Sequence, residues 1–340
     1  MGATVLVTGI GGFIAKHVAL ALLTAGYKVR GTVRSPTAAD EVRASLALHG
    51  ADPERLSFVV VDLDHDRGWA DAISGCEFIQ HVASPFPIKA PADRESLVPA
   101  AREGTLRILR YGLNAGVTRI VETSSMVAMM YRADRAAAIT VSEDDWSDPE
   151  WPSLSAYIVS KTRAEQAAWE FLRAAGAENK LSTVNPGFVL GPLLDRRLGT
   201  SLEVIRLFMT GAYPAVPPVS FPVVDVRDLA AVHVRAMTAE KTGGRRLIAA
   251  GETISMRDMA VMLRDAFPSR ARRIPTRVLP MFVVRLLGLF DRQLRTLRSD
   301  LGVAPHANSA YVTDLTGVAF RPAREAVIAA GQSLLDYNVI

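Results

Sequence analysis

Six short runs rich in Val, Ile and Leu, separated by longer stretches with helical spacing, constrain this chain more than any other feature. They fall at 4–8, 28–33, 56–61, 78–82, 119–123 and 182–185. The runs are apolar nearly throughout instead of at every second residue, as strands buried on both faces require. Between the first two, Phe13, Ile14, His17, Val18, Ala21 and Leu22 share one helix face. Strands alternating with helices in this way predict a doubly wound α/β fold, a parallel sheet covered on both sides. Ligands of such a sheet lie beyond the carboxyl ends of its strands, where Gly9, Arg34, Asp62, Ala83 and Ser125 are expected to gather.

Beyond residue 190 the alternation fades into a proline-rich connection, YPAVPPVSFP at 213–222, and then into helical segments. The expected organisation is a Rossmann-type nucleotide-binding domain over 1–190, with 220–250 returning to it. One strand and one helix within 223–237 make that return. Residues 191–219 and 251–340 form a smaller, mostly helical substrate lobe.

The chain of 340 residues is 49% hydrophobic and 22% charged, the composition of a soluble globular protein. Its 39 Lys and Arg against 35 Asp and Glu leave a net charge of +4, with no basic stripe of the kind nucleic acid selects, so no nucleic-acid partner is expected. The single cysteine, Cys76, excludes an internal disulfide and a cysteine-based zinc site, and no metal is expected; a reducing cytoplasm suits it. The apolar start lacks a basic leader region and reads as fold. The longest apolar stretch, VLPMFVVRLLGLF at 278–290, is interrupted by Arg285 and is shorter than the ~20 residues that span a bilayer. It predicts a packed helix in the C-terminal part, with no membrane partner.

The first strand runs into TGIGGFIAKH, residues 8–17. Glycines there remove the Cβ atoms that would keep a ligand from the backbone, and a helix restarting near Gly12 leaves amides facing outward, a ready anion site. The pattern is Gly9, Gly12, Ala15. About twenty residues on, where an acid would receive a ribose 2′-hydroxyl, the second strand ends in Arg34, which favours a 2′-phosphate and so NADP(H) over NAD. Farther along, YIVSK places Tyr157 and Lys161 one turn apart on a helix expected from 154 to about 173. A phenol with a pKa of about 10 is a weak acid–base group at neutral pH. An ammonium at about 5 Å supplies roughly 3 kcal/mol towards lowering it. The buried strand RIVET ends at Ser124 and Ser125, where a hydroxyl can bond a substrate carbonyl.

Glycine loop, strand-end serine, YIVSK and VNPGFVLGP (184–192) together resemble the extended short-chain dehydrogenase/reductase family over roughly residues 4–240. GTVRS, HVASP and NPGFVLGP are similar to its dihydroflavonol-reductase, cinnamoyl-CoA-reductase and aldehyde/ketone-reductase branch. The resemblance implies that Tyr157 is the acid, that Lys161 holds the nicotinamide ribose and lowers the phenol's pKa, and that Ser125, not Ser124, orients the carbonyl. It further implies that Gly9, Gly12, Phe13 and Ile14 cradle the cofactor and that Asp62 and Leu63 flank adenine. Val82, Ala83 and Ser84 would line the ribose and nicotinamide, and Pro186 to Val189 would support the nicotinamide face. The chain departs from the lignin enzymes, whose longer signature around the Tyr/Lys pair SLSAYIVSK lacks, and from flavonoid reductases, whose ring-holding amide is replaced by Met130. Phe86, Met126, Met130 and Leu193 are expected to form an apolar substrate wall.

The leading expectation is therefore an NADPH-dependent carbonyl reductase acting as a monomer or homodimer on a small-molecule aldehyde or ketone. Two other readings share parts of this pattern: a nucleotide-sugar epimerase or dehydratase with tightly bound NAD, and a non-catalytic NADP-sensing protein. Against the epimerase, no Val-Tyr-Gly and no acid follow the serine, and Ser182 stands where an arginine often precedes the Asn. The complete Ser/Tyr/Lys set argues against the sensor.

Overall fold

The computed structural model describes residues 2–84, 91, 93–132, 137–151 and 153–340. Seven strands form one parallel sheet: β1 (Thr4–Val7), β2 (Lys28–Val33), β3 (Leu56–Val60), β4 (Phe78–His81), β5 (Arg119–Thr123), β6 (Leu181–Pro186) and β7 (Arg245–Ala249). Their spatial order is β7-β6-β5-β4-β1-β2-β3. The chain thus winds outward from β1 in one direction through β2 and β3, then in the other from β4 to β7. Val5 of β1 pairs with Val29 on one side and Phe78 on the other, which fixes the register at the point of reversal. The turns that follow β1 and β4 diverge there and leave the crevice in which such folds bind ligands.

Alternation along each strand feeds two cores. Val5 and Val7 point with Val29, Val121, Val184 and Leu247 towards α1 (Phe13–Thr24) and the helix Val226–Thr238. Leu6, Ile79, Ile120 and Leu181 point the other way, under α4 (Val98–Asn114) and α5 (Ala156–Ala174). The two shorter helices between β2 and β4 are α2 (Pro36–Leu48) and α3 (Trp69–Ile73). Side-chain caps set the starts that matter for the site. Ser35 accepts from Ala38 N ahead of Pro36, and Ser155 accepts from Ile158 N ahead of α5.

A third core joins the helices Thr200–Thr210, Met256–Ala266 and Ala323–Asp336 through Leu202, Ile205, Met209, Met259, Leu263 and Ala330. It abuts a three-stranded sheet, Thr253–Ser255, Ser220–Asp225 and Phe188–Leu190. One sequence-based expectation is corrected here. The strand within 220–225 lies in this small sheet, whereas the seventh strand of the large sheet is Arg245–Ala249. Arg246 hid that strand, because a guanidinium reads as surface, yet here it is buried and ion-paired within the protein. The helix Val226–Thr238 does return to the large sheet, against α1.

Candidate active site

The carboxyl ends of β1 and β4 are stapled together by one hydroxyl. Thr8 Oγ1 accepts from the amides of Val82 and Ala83, each at 3.0 Å, and lies 3.0 Å from His81 Nδ1. Gly9 follows with φ of +61°, and a Cβ on it would stand 2.8 Å from that of Ala83, so this close crossing of the two loops requires glycine. Its amide donates to Thr32 Oγ1 at 2.9 Å. Gly12 caps α1 without a side chain, so the first turn, Phe13 and Ile14 included, starts with backbone amides and no competing hydroxyl. Val82, Ala83 and Ser84 border the same crevice, half-buried.

Across it, β5 ends in two serines that face different ways. Ser124 Oγ donates to Glu165 Oε2 at 2.6 Å and is turned inward. Ser125 caps the turn Met126–Ala128, accepting from Val127 N at 3.3 Å, and its hydroxyl is hydrogen-bonded to the Tyr157 phenol. Lys161 lies one turn along α5 from Tyr157 and donates from Nζ to Thr123 O at 2.8 Å. Burial pushes the Tyr157 phenol above its usual value, with the Ser125 hydrogen bond opposing. Lys161 is not among the groups that move it. Burial lowers the Lys161 ammonium, and Glu122 and Glu165 act to hold its charge.

Residues 5–250 match the NAD dependent epimerase/dehydratase family. The chain belongs to that family. Within it, cinnamoyl-CoA reductase 1 of Oryza sativa subsp. japonica is 36% identical over 267 residues, covering 78% of this chain and 76% of that protein. Tetraketide alpha-pyrone reductase 2 of Arabidopsis thaliana is 32% identical over 271 residues, with 78% and 83% covered. Among solved structures, yeast methylglyoxal/isovaleraldehyde reductase Gre2 complexed with NADPH superposes with a TM-score of 0.80 at 27% identity, covering 99% of each chain.

In this epimerase/dehydratase-family chain, Arg34 directly follows the carboxyl end of β2 and is exposed, beside the Ser35 cap of α2. Arg43, on the same helix, is engaged elsewhere: it donates to Leu56 O at 3.3 Å and stacks over Phe58. Asp62 Oδ1 accepts from Asp64 N at 3.0 Å, so its carboxylate shapes its own turn, with Leu63 beside it. Pro186 and Val189 are buried at the end of β6, where Gly187 passes so close to Pro222 O that a Cβ would sit 2.2 Å from it.

Of the expected substrate wall, Phe86 lies outside the described residues. Met126 and Met130 are only 1% and 5% exposed, packed with Tyr131, Ile158 and Val159. Leu193 is buried in the lobe core. Met130 is thus a packed side chain five residues beyond Ser125, and its effect on specificity is testable. If Met130→Ala lowers kcat/KM in parallel for a small aliphatic and a bulky aryl ketone, it acts only through packing. The expected result is a relative gain of several-fold for the bulky substrate as about three methylene-sized groups of space open.

Two features escaped the sequence reading. The first is a strap, residues 192–199, laid across the glycine loop. His17 Nε2 meets Pro192 O at 2.9 Å, Ser45 Oγ donates to Leu194 O at 2.9 Å, and buried Lys16 pairs with Asp195. Arg197 pairs with Glu41 at 3.0 Å and rests against Gly11, where a Cβ would be 3.0 Å from its Nη1. The second is a buried polar cluster beneath the Tyr/Lys pair. Glu165 accepts from Ser124, from Thr183 at 3.0 Å, from Asn185 at 2.8 Å and from Arg246 Nε at 2.7 Å. Burial works to raise the Glu165 carboxyl, but Arg246 and these donors outweigh it and hold it below its usual value. Glu122, bonded to Thr105, is raised to about 7 by burial. A signal for the cluster is the acid inside RIVET, a charged residue in a run that otherwise reads as buried.

Proposed function

We propose that this chain reduces an aldehyde or ketone with hydride from NADPH, with Tyr157 as proton donor, Ser125 as the group that orients the carbonyl and Lys161 as their support. The chain is an NADP-dependent oxidoreductase. Its relatives bear the names of reductases, and the superposed yeast protein was solved with NADPH. The observation that carries the reading is the Tyr157–Ser125 hydrogen bond at the edge of the crevice, with Ser124 turned away into the interior.

The residues present fit the cofactor. The crossing at Gly9 and the bare first turn of α1 make a cradle that a Cβ would fill, and Arg34 stands exposed where an acid would mark NAD. NADPH, when bound, supplies the hydride. The chain's own groups handle the proton and the developing charge. Two hydroxyls, of Ser125 and Tyr157, converge where one carbonyl oxygen can accept from both. Because burial keeps the phenol protonated at neutral pH, Tyr157 is charged with the proton that the reduced oxygen must receive. The Lys161 ammonium, one turn along α5 from Tyr157 and anchored on Thr123 O, would hold the nicotinamide ribose when the coenzyme is bound.

Following NADPH oxidation against a panel of aldehydes, ketones and nucleotide sugars tests this reading. Turnover of carbonyl compounds alone is expected. Conversion of a nucleotide sugar without net NADPH oxidation would instead assign an epimerase. Coenzyme choice is tested through Arg34. A guanidinium forks onto a 2′-phosphate with hydrogen bonds worth about 1.5–3 kcal/mol, a roughly ten- to hundredfold preference for NADPH. Arg34→Asp is expected to raise KM for NADPH by that factor and to leave NADH unchanged or improved. A wild type that uses both coenzymes equally would reduce Arg34 to a surface arginine.

A further inference from the structure

Among the described residues, nine large hydrophobic side chains are exposed, and seven of them lie between 278 and 290. The helix Met281–Leu287 turns Val284 into the lobe core, where Leu279, Leu294 and Leu297 meet it. Its other side is apolar too. Phe282 and Leu286, four residues apart, are 71% and 57% exposed, and the turn that follows adds Leu289 at 59% and Phe290 at 86%. This turn is fixed: Arg295 donates to Gly288 O at 3.0 Å and to Leu289 O at 2.8 Å. The packed helix expected from the sequence is therefore packed on one face only.

Charge shows what the open face fits. Residues 270–300 hold eight arginines and two aspartates, a net +6 against +4 for the whole chain, so the remainder of the protein is net negative. The basic charge that reads as scattered along the sequence is concentrated here. Arg285 lies on the helix itself, Arg295 holds the turn that follows it, and Arg272, Arg273, Arg277 and Arg298 are exposed in the segments that flank them, while Asp300 is buried against Tyr131. A second copy docking on this face would bring two such arginine rims together, a like-charge contact. Apolar side chains ringed by guanidiniums suit the boundary of an anionic bilayer, where Phe and Leu enter the acyl region and arginines reach the headgroups.

We propose that the face built by Phe282, Leu286, Leu289 and Phe290 with its arginine rim docks this protein peripherally on an anionic lipid surface. No described helix is long and apolar enough to cross a membrane, so the association is reversible and interfacial. It is independent of the reaction assigned above.

The test is co-sedimentation of the full chain with vesicles of phosphatidylcholine alone and of phosphatidylcholine with about one-third phosphatidylglycerol. Binding to the anionic vesicles is expected to exceed that to the neutral ones by about tenfold or more and to collapse at high salt. Phe282→Ser with Phe290→Ser should abolish it while NADPH oxidation by the same preparation stays unchanged. Arg277→Gln and Arg298→Gln should each weaken it roughly fivefold. Equal binding to both vesicles, or full binding by the double serine variant, overturns the proposal. So does light scattering that finds a dimer in the wild type and a monomer in that variant, which would give the face to a second copy.

Discussion

Tyr157→Phe is expected to lower kcat by about 10²-fold or more, since general acid catalysis of this kind contributes about 10² to 10⁴. The ring and its packing remain, so NADPH affinity, read by quenching or calorimetry, should stay within about twofold of wild type. The two serines separate in the same assay. Ser125→Ala removes the hydroxyl bonded to the phenol and should cost rate. Ser124→Ala instead strips a donor from the buried Glu165 and should appear mainly as lost stability, about 1–3 kcal/mol. A Tyr157→Phe enzyme retaining more than about a tenth of wild-type turnover would remove Tyr157 from the role of acid. A larger loss of rate in Ser124→Ala than in Ser125→Ala would exchange the serines.

A second large effect is expected in acid. His81 and His233 are held neutral by burial, with pKa values lowered to about 3, and His17 is lowered to about 4. In the unfolded chain all three take up protons near pH 6.5, so between about 6.5 and 4 the unfolded state binds more protons and stability falls as pH falls. Glu122 works in the opposite direction. Its folded pKa, raised to about 7, means that the native state binds a proton the unfolded state lacks between about 4.5 and 7, so lowering the pH recovers part of the loss. From pH 7 to 4.5 the three histidines withdraw about 8 kcal/mol and Glu122 returns about 3. A net loss of about 5 kcal/mol is comparable with the entire stability of many domains. Urea unfolding at the two pH values checks this. Unfolding free energies that agree within about 1 kcal/mol would show that these histidines are not held neutral.

Much of the large sheet was legible because both of its faces are covered. Strands such as VLV and RIV must be apolar throughout, and that run survives in the sequence without its partners. The candidate crevice was legible for a related reason: Gly9, Tyr157 and Lys161 are marked by backbone freedom or helical spacing, both local. What stayed hidden depends on pairing across long separations. Arg246 makes β7 look like surface until Glu165, 81 residues away, supplies its counter-charge. The strap bonds to α1 and α2 across roughly 150 residues or more, and neither end carries a mark of the other. Met126 and Met130 exposed the opposite weakness, since a methionine cluster has the same composition whether it walls a pocket or fills a core.

The strap also bears on how firmly the coenzyme cradle is held. Residues 192–199 are moored to α1, to α2 and, through Arg196, to the backbone carbonyl of Asn338, and Arg197 rests against Gly11 of the glycine loop. These tethers join the glycine loop to α2 and to the far end of the chain, so a change at any one of them acts on the coenzyme cradle as well as on the lobe.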